Sequence, residues 1–552
     1  MSIQLERQNK ARGAFFTPPE ISQFLVDWAL RTKTDRVLEP SCGDAAFLIP
    51  AAERLREFGA TSRAIPNQLE GIEIHAPSVE EAEARLEEEG LSATIVHSDF
   101  FDCDPTPNFD AVIGNPPFIR YQSFSGAART KSMRVALAHG VRLTALASSW
   151  AAFTIHASEF LNDSGRLAMV LPAELLSVNY AAEVRRFLLN RFANVRLVLF
   201  DNLVFPGVMA EVVLLLAEGR GTATSFEVFQ IRDANALAEL TLTATRAFVP
   251  TGGEKWTPAL IPADALRVYR QLTTSSEFSR MIDWGETYLG CVTGNNAYFT
   301  LSVEDAAKHG LASDDLLKIS PPGSRHLRGL TFSDKAWTEI AKKGGRAYLF
   351  APQSNNLSAA ARSYIKVGEK DNIQEGYKCS NRSPWWRVPQ VPRPDILFTY
   401  MNHDRPRLTT NEAGVIVLNS LYGIKLKDEV RIQGKMLLPI ASLNSLTLLG
   451  SEFVGRAYGG GLLKHEPREA DLLPVPSTEM LSASGKELKL LKPQLAIALR
   501  ANDLLGAVKL VDEIILTKYM KLDQADLLGL RKAREVLFNR RLSRAKGNRG
   551  KD

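Results

Sequence analysis

The four residues Asn115-Pro116-Pro117-Phe118 are the part of this 552-residue chain whose types are best suited to chemistry. They follow the strand-like run 109–114, and ligands of open α/β sheets bind at the carboxyl ends of strands. An amide side chain, two prolines with restricted φ and an aromatic ring make a rigid set of acceptors beside a stacking surface. Such a set suits a planar group that carries an exocyclic NH₂.

Acidic residues stand at the ends of three earlier predicted strands. They are Glu39, Glu73 and Asp99, and Asp99 is followed by Phe100. A carboxylate at the end of the second strand commonly accepts hydrogen bonds from ribose hydroxyls, and an acceptor beside an aromatic ring suits adenine. Glu39 argues against a pyrophosphate at the first turn and for a ligand with a positive charge. Together the three residues indicate a nucleoside-like ligand.

Two shorter segments accompany these carboxylates. The run 37–47 predicts a strand, a tight turn and a helix, in which Gly43 allows close backbone approach to a ligand. Near the amino terminus, Thr17 is the predicted N-cap of a helix, with Pro18 in its first position and Glu20 completing a capping box.

The elements that must position these residues alternate between strand and helix over the first 240 residues. Seven runs predict strands: 36–38, 69–74, 93–96, 111–113, 165–171, 195–200 and 211–216. Helical patterns lie between them, as at 77–89 and 180–190. This order predicts an α/β fold with a Rossmann-like, doubly wound, mainly parallel sheet and an antiparallel hairpin at its end.

The length of the chain predicts more than one domain. We expect a catalytic domain over 1–245, a mixed α+β domain over 250–480, and a helical, basic carboxyl-terminal segment over 481–552. Nine Lys and Arg residues lie between Arg531 and Lys551, which predicts a basic tail that frays at its end.

Charge is distributed unevenly along the chain. Residues 1–240 carry 22 Lys and Arg against 30 Asp and Glu, a balance of −8, whereas the rest carries 45 against 32, a balance of +13. The basic back half suggests that any polyanion binds there.

Composition excludes several classes of protein. Hydrophobic residues make up 45% and charged residues 23%, and no apolar run approaches the roughly 20 residues that cross a bilayer. The amino terminus lacks the pattern of a signal peptide. The four cysteines form no C-x-x-C pair, so we expect no zinc site, no other metal site and no disulfide framework, and a reducing cytoplasm fits best.

Together these segments resemble the motifs of S-adenosylmethionine-dependent amino-methyltransferases. Their order, with the helix-opening segment first, then the cofactor turn, Asn-Pro-Pro-Phe and a second domain last, resembles the gamma class of adenine-N6 DNA methyltransferases, the TaqI-like modification methylases. The resemblance covers roughly residues 13–216. One departure is Ser41, which stands where a first glycine is common in the cofactor turn.

The resemblance implies a role for each matching position. Thr17 and Glu39 would contact the methionine part of S-adenosylmethionine, and Ser41 would line the turn. Glu73 would hold the ribose. Asp99 and the Phe100 backbone would bind the cofactor adenine, with Pro117 and Phe153 packed around it. Asn115, Pro116 and Phe118 would be catalytic: the Asn115 side-chain oxygen and the Pro116 carbonyl would accept hydrogen bonds from adenine N6 and direct its lone pair at the methyl group. Asn115 favours adenine over cytosine N4, because the cytosine enzymes often have Ser there.

An adenine inside a duplex is out of reach, so the base must be flipped out. Phe118 is the expected stacking face, and Phe205 matches a second aromatic residue that packs on the extrahelical base. Reading of double-stranded DNA is assigned to aromatic, amide and cationic residues of the second half. The candidates are Trp386, Arg387, Asn402, Arg405, Arg407 and Lys464, the last beside the glycine-rich run 458–461.

We therefore expect a site-specific, adenine-specific DNA methyltransferase of a restriction-modification system, with a cognate restriction endonuclease encoded separately. Three alternatives stay open at this point. The acceptor could be another conjugated amino group, on rRNA guanine or protein glutamine; the chain could be a non-enzymatic DNA-binding subunit; or it could be a modification subunit that needs a separate specificity chain. The sequence does not indicate the oligomeric state or the target site.

Overall fold

A computed structural model of the chain describes residues 17–119, 123–124, 126–205, 211–243, 247–251, 254–353 and 356–546. Contacts divide it into a first unit, which runs to Leu260 and also includes the chain from Ser543, and a second unit, Ile261–Leu542.

The first unit is built on a nine-stranded sheet with the order β3-β2-β1-β4-β5-β7-β6-β8-β9. The strands are β1 (Val37–Glu39), β2 (Leu69–Glu73), β3 (Thr94–His97), β4 (Phe109–Gly114), β5 (Leu161–Pro172), β6 (Phe192–Phe200), β7 (Val212–Arg220), β8 (Phe226–Ile231) and β9 (Ala247–Phe248). Strands β1 to β5 are parallel, and β7 runs antiparallel between β5 and β6.

Helices connect these strands and cover the sheet. They are α1 (Pro19–Ala29), α2 (Leu48–Glu57), α3 (Ala76–Glu88), α4 (Gly126–Ala138), α5 (Ser149–Ser158), α6 (Glu174–Ser177) and α7 (Ala182–Arg191). The central strands contain continuous apolar stretches, as at 111–113 and 167–171, where every residue is buried. A continuous apolar run is what a parallel strand covered on both faces requires.

The predicted doubly wound, mainly parallel sheet is confirmed, and each of the seven predicted strands corresponds to one of β1 to β7. The predicted antiparallel hairpin is the pair β6 and β7. The sequence reasoning missed β8 and β9, because Glu227 and Gln230 interrupt the apolar pattern of β8 and β9 is only two residues long.

The first unit continues past residue 245, where we predicted its end. Strand β9 pairs with β8, and the rings of Trp256 and Phe226 are in tilted contact with centroids 4.2 Å apart. The Trp256 amide also donates a hydrogen bond of 2.8 Å to the Leu176 carbonyl. These contacts anchor the segment after residue 245 to the catalytic sheet.

The second unit is mixed α+β, with several small sheets. Its strands are β10 (Phe278–Arg280), β11 (Gly285–Leu289), β12 (Thr300–Leu301), β13 (Leu316–Lys318), β14 (Thr331–Phe332), β15 (Tyr348–Phe350), β16 (Ile396–Phe398), β17 (Met401–Asn402), β18 (Leu408–Asn411), β19 (Tyr422–Leu426), β20 (Arg456–Tyr458), β21 (Leu462–Lys464) and β22 (Pro474–Pro476). The largest sheet has the order β11-β19-β16-β18-β14, and β17, β21 and β20 form a separate sheet.

Helices make up most of the rest of this unit. They are α8 (Ala263–Thr273), α9 (Met281–Trp284), α10 (Asn296–Phe299), α11 (Val303–Lys308), α12 (Asp334–Lys342), α13 (Ala359–Lys370), α14 (Tyr377–Ser380), α15 (Arg431–Ala441), α16 (Ser445–Val454), α17 (Pro467–Ala470), α18 (Thr478–Arg500), α19 (Leu504–Asp512) and α20 (Gln524–Lys546), with a π-helical segment at Glu513–Tyr519.

The segment predicted as a basic, frayed tail is helical as far as Lys546, and residues 547–552 lie outside the described residues. Two of its arginines are used inside the second unit. Arg531 lies 2.8 Å from the fully buried carboxylate of Asp512. Arg541 is buried, donates to both carboxylate oxygens of Glu452 at 2.8 and 3.2 Å, and also donates to the backbone carbonyls of His403 and Gly461. Both charges are therefore paired within the unit, and that of Arg541 is buried.

Among the described residues, no single helix is long and apolar enough to cross a membrane; two helical segments, Asp428–Ala441 and Ser445–Val454, meet that length and composition only together, across a 92° bend.

Arg541→Met is expected to lower the free energy of unfolding of the second unit by about 3–5 kcal/mol, because it leaves the buried Glu452 carboxylate without its cation. Lys532→Met, at an exposed position of the same helix, is the matched control and should change stability by less than about 0.5 kcal/mol. Urea denaturation followed by far-UV circular dichroism measures both. Equal stability of the two variants would show that the pair contributes little.

Candidate functional site

The sequence-predicted site lies where the order of the central sheet reverses. Strands β1 and β4 are parallel neighbours, but β2 follows on one side and β5 on the other. Glu39 is the last residue of β1, and Asn115 follows Gly114, the last residue of β4. A crevice opens at such a switch point, because the connections leave the two strand ends in opposite directions. The structure therefore brings the acidic turn and the Asn-Pro-Pro-Phe segment to one edge.

The turn after β1 is longer than predicted, since residues 40–47 precede the first residue of α2, Leu48. Within it, Gly43 has φ +52°, and a Cβ there would meet no atom within 4 Å, so the backbone on that side is open. Half-buried Ser41 lies in the same turn. The turn thus has the exposed backbone that a cofactor site needs, but several residues separate Gly43 from the first residue of the helix.

Glu39 is the most buried charged group of the turn, with 2% of its surface exposed. Its carboxylate accepts a hydrogen bond of 3.1 Å from the Leu48 amide at the amino end of α2. Burial raises the pKa of Glu39 well above its usual range, and the nearby Asp44 carboxylate raises it further. A positively charged ligand beside Glu39 would relieve this cost of ionisation.

Glu73 holds the turn in place from the end of β2. Its two carboxylate oxygens accept hydrogen bonds from the amides of Gly43, at 3.0 Å, and His75, at 2.8 Å. A carboxylate has about four acceptor positions, so these two bonds leave acceptor capacity for the hydroxyls of a ribose.

Asp99, after β3, has a partner that the sequence reasoning missed. One of its carboxylate oxygens accepts a hydrogen bond of 3.1 Å from the Phe101 amide, and the other lies 3.1 Å from Nζ of Lys131 on α4. Lys131 also pairs with Asp102. A helix packing beside the site supplies this lysine, and no local motif near Asp99 indicates it.

The rings of Phe100 and Phe153 are in contact, with centroids 5.0 Å apart. Both are buried, in an aromatic cluster that also contains Phe101, His156 and Phe160. Burial lowers the pKa of His156 to about 4, so this histidine is neutral at physiological pH. The cluster forms an apolar wall beside Asp99.

Thr17 is not an N-cap, which corrects the sequence prediction. Helix α1 begins at Pro19, its N-cap is Pro18, and no side chain caps it, so the expected capping box with Glu20 is absent. The Thr17 hydroxyl instead accepts a hydrogen bond of 3.2 Å from the side-chain amide of Asn115. Thr17 thus belongs to the site because it orients Asn115.

The carboxyl-terminal side of the Asn-Pro-Pro-Phe segment is held by Ser149, the first residue of α5. The Ser149 hydroxyl donates to the Pro117 carbonyl and accepts a hydrogen bond of 2.9 Å from the Ile119 amide. The Ser149 amide donates to the Ile119 carbonyl at 3.1 Å. Sequence reasoning missed Ser149, although two serines before an apolar helix are a helix-start signal.

A second set of hydrogen bonds supports the start of α5. The hydroxyl of half-buried Tyr180 donates to Glu174, just beyond the carboxyl end of β5, and accepts from the Trp150 indole at 3.1 Å. The Ser148 hydroxyl lies 3.2 Å from the same oxygen. Burial, reinforced by the Glu174 carboxylate, raises the pKa of Tyr180 above its usual range, so the phenol stays protonated as a donor.

The two aromatic residues expected to stack on a target base differ in exposure. Phe118 is half-buried and packs against the main apolar cluster of the first unit. Phe205 belongs to that cluster and is only 5% exposed, and Pro206 and Gly207 of its motif lie outside the described residues. Of the two rings, Phe118 is the more accessible to a ligand.

Most DNA-reading candidates of the second unit have partners within that unit. Trp386, Asn402 and Arg405 are buried, which does not agree with their selection as base-reading groups. Asn402 bonds to both the hydroxyl and the carbonyl of Thr399, and burial lowers the pKa of Arg405 to about 10. Arg407 pairs with Asp404 at 3.3 Å and Lys464 with Glu466 at 2.9 Å, whereas Arg387 is exposed.

The structure does bring two of the predicted recognition segments together. Strand β17 pairs with β21, which places the run 400–407 beside the glycine-rich run 458–461 in one sheet. Gly460 and Gly461 both have φ +72°, a conformation that favours glycine. Tyr458, 52% exposed, is the accessible aromatic residue of this sheet.

Comparisons with known proteins agree with this geometry. Residues 3–259 match the family model described as N-6 DNA Methylase, and residues 253–516 match the one described as the C-terminal domain of Type II methyltransferase M.Eco57I. The chain is 24% identical over 481 residues to Type II methyltransferase M.AccI of Acinetobacter calcoaceticus, with 85% of this chain and 86% of the relative covered. It is also 24% identical to M.XamI of Xanthomonas campestris pv. amaranthicola, with the same coverage.

One solved structure resembles nearly the whole chain. It is the Type IIL restriction-modification enzyme MmeI in complex with DNA, with a TM-score of 0.56 and 12% identity over 97% of this chain and 76% of that one. This similarity concerns the fold. The narrower resemblance to TaqI-like gamma-class enzymes stays a prediction. From the matches over both halves and from the site at the switch point, we conclude that this chain is a DNA modification methylase with an N6-adenine methylase domain over residues 3–259.

Proposed function

We propose that this enzyme transfers a methyl group from S-adenosylmethionine to N6 of an adenine flipped out of duplex DNA, as the modification enzyme of a restriction-modification system. The observation that carries the proposal is the position of the Asn115–Phe118 segment, held by Thr17 and Ser149 at the switch point beside Glu39. The relatives named Type II methyltransferases, matched over most of their length, support the same substrate class.

The residues at the switch point fit S-adenosylmethionine, which supplies an electrophilic methyl group on a cationic sulfonium. The buried Glu39 carboxylate suits a positive charge, and the open backbone at Gly43 allows close approach. We assign the methionine part to Thr17, Glu39 and Ser41, the ribose to Glu73, and the adenine to Asp99, Phe100, Pro117 and Phe153. Because Lys131 pairs with Asp99, it also orients this acceptor.

Asn115 and Pro116 act on the target amino group. Adenine N6 is a weak nucleophile, because its lone pair is delocalised into the ring. Hydrogen bonds to the Asn115 oxygen and the Pro116 carbonyl make the nitrogen more tetrahedral and turn its lone pair toward the methyl carbon. S-adenosylmethionine would supply the methyl group, with the C–N bond forming as the C–S bond breaks and the thioether leaving, and the amino proton would then pass to water. Positioning and electrostatics supply the acceleration.

The hydrogen bond from the Asn115 amide to Thr17 fixes the plane of the side chain. The two prolines restrict the backbone, and Ser149 holds the Pro117 and Ile119 peptide groups. Phe118 is the stacking face that we assign to the flipped base, and Phe205 belongs to the apolar cluster against which Phe118 packs. The acceptors are thus ordered before the base arrives.

Duplex DNA is the acceptor that best fits a chain whose back half carries a balance of +13. That half also supports a self-sufficient enzyme, without a separate specificity chain, whose cognate restriction endonuclease is encoded separately. The described cysteines are free thiols, which fits action in the reducing cytoplasm.

Asn115→Ala is expected to lower kcat for methylation of duplex DNA by about 10²–10³-fold or more, because it removes an acceptor aimed at the reacting nitrogen. Binding of S-adenosylmethionine and DNA should change little. Transfer of tritiated methyl groups to duplex DNA, rRNA and a protein-glutamine substrate gives both rate and acceptor. Asn67→Ala, at an exposed position before β2, is the control. Unaltered activity of Asn115→Ala, or label only in rRNA or protein, would refute the proposal.

Ser149→Ala is expected to lower kcat about 10–100-fold with little effect on the Kd of S-adenosylmethionine, because it frees the segment that carries the acceptors. Ser149→Thr, which keeps the hydroxyl, should restore most of the rate. Ser158→Ala removes an equally buried hydroxyl at the other end of α5 and serves as the matched control. A similar loss in both alanine variants would mean that packing of α5, not the serine, is responsible.

Glu39→Gln is expected to weaken binding of S-adenosylmethionine about 10- to 100-fold, the size of a lost charge-assisted hydrogen bond. The same change should raise the unfolding temperature of the cofactor-free protein at neutral pH. The raised pKa of Glu39 means that the folded protein binds its proton more tightly than the unfolded chain, so ionisation destabilises the fold as pH rises. The stability gain should therefore vanish in acid, where Glu39 is protonated.

Isothermal titration calorimetry and thermal melts across pH measure these two effects. Glu53→Gln, at an exposed position of α2, is the control and should alter neither. If Glu39→Gln binds S-adenosylmethionine with wild-type affinity, Glu39 does not contribute to cofactor binding.

A further inference from the structure

Most of the cations that the motifs selected are paired or buried, although Arg387 is exposed. Arg407 and Lys464 are paired with carboxylates, and Arg405 is buried. Arg531 and Arg541 of the last helix are also paired. Cations that bind a polyanion must be exposed and not already neutralised. The surface that meets this condition lies elsewhere in the unit.

A recess of about 230 Å³ lies between the loop before β14 and the carboxyl-terminal half of α18. Three cations line it, Arg328 from the loop and Lys492 and Arg500 from the helix, and its other side chains include the apolar Leu330 and Leu499. None of the described residues that line the recess is acidic. The three charges therefore converge on one space without an internal counterion.

The same charge continues beyond the recess. Lys489, Lys492 and Arg500 recur at helical spacing along one face of α18, and Arg325 lies three residues before Arg328 in the loop. All five are exposed, and none of them forms an ion pair with a described residue. The last turn of a helix favours one cation by its dipole, which accounts for Arg500 alone. It does not account for Lys492, Lys489 or the two loop arginines.

We propose that this basic recess, formed by Arg328, Lys492 and Arg500, binds a phosphate of the DNA backbone. Arginine offers a planar fork and lysine a compact charge, and both bind phosphate oxygens by charge-assisted hydrogen bonds. The recess holds no amide group placed to read a base edge, so its contribution is independent of sequence and fixes the register of the duplex. This assignment rests on the proposed function, because it takes duplex DNA as the ligand.

The test is a triple variant, Arg328→Gln with Lys492→Gln and Arg500→Gln. The matched control, Lys335→Gln with Lys342→Gln and Lys343→Gln, removes the same charge from exposed lysines on and just after α12 that form no ion pair with the described part of the chain. Binding to duplexes with and without the target site is measured by fluorescence anisotropy over a range of NaCl concentrations. The recess variant should bind both duplexes about tenfold more weakly and lower the slope of log K against log salt by about 1. The control should keep the wild-type slope.

Further measurements separate the possible failures. Thermal melts and binding of S-adenosylmethionine should be the same in the wild type and both variants, which shows that the fold is intact. A recess variant with the wild-type slope, or a control that loses as much, would overturn the phosphate site. Thermal melts with inorganic phosphate test the other source of this ligand. If the recess variant loses the stabilisation by phosphate that the wild type shows, but keeps the wild-type salt slope for DNA, the recess is a site for free phosphate and the proposal is overturned. If the wild type itself neither binds nor methylates duplex DNA, the proposed function is refuted, and the phosphate site, which rests on it, is refuted with it.

Discussion

The reversal of strand order between β1 and β4 is the constraint on which the rest of the catalytic unit depends. Because both strands are parallel and their connections diverge, their carboxyl ends leave a crevice that Glu39 and Asn115 share. The buried Glu39 carboxylate is unfavourable without a cation, and the Asn115 segment is held by bonds to Thr17 and Ser149. The same edge therefore combines a site that needs a positive charge with acceptors arranged for an amino group.

The second unit handles charge in two ways. Its buried pair Arg541–Glu452 supports the backbone of the 400–407 and glycine-rich segments, since Arg541 also donates to the His403 and Gly461 carbonyls. One group of exposed cations that form no ion pair with a described residue lies on α18 and the loop before β14. Buried cations therefore shape the segments that we assign to recognition, and exposed cations attract the polyanion. The sheet of β17, β21 and β20 presents Tyr458 rather than Asn402 or Arg405.

The apolar periodicity of the sequence predicted the strands of the first unit and the residues at their ends. The strand runs and the strand-end positions of Glu39, Glu73, Asp99 and Asn115 follow from apolar periodicity, so the sheet and the clustering of these residues could be expected. Partners from distant elements could not be: Lys131 and Ser149 reach the site through helix packing, and Thr17 bonds to Asn115 instead of capping its helix. In the second half, residue type alone did not distinguish exposed cations from buried or paired ones such as Arg405 and Arg407.

The central claim is that the switch-point site methylates adenine N6 in duplex DNA at a defined sequence. Sequencing the DNA of cells that express the chain, with a direct read-out of modified bases, tests it most directly. N6-methyladenine should appear in one short sequence motif, and it should be absent from cells that express the chain without a functional Asn115. Unmodified DNA, or a methylated base other than adenine, would contradict the account.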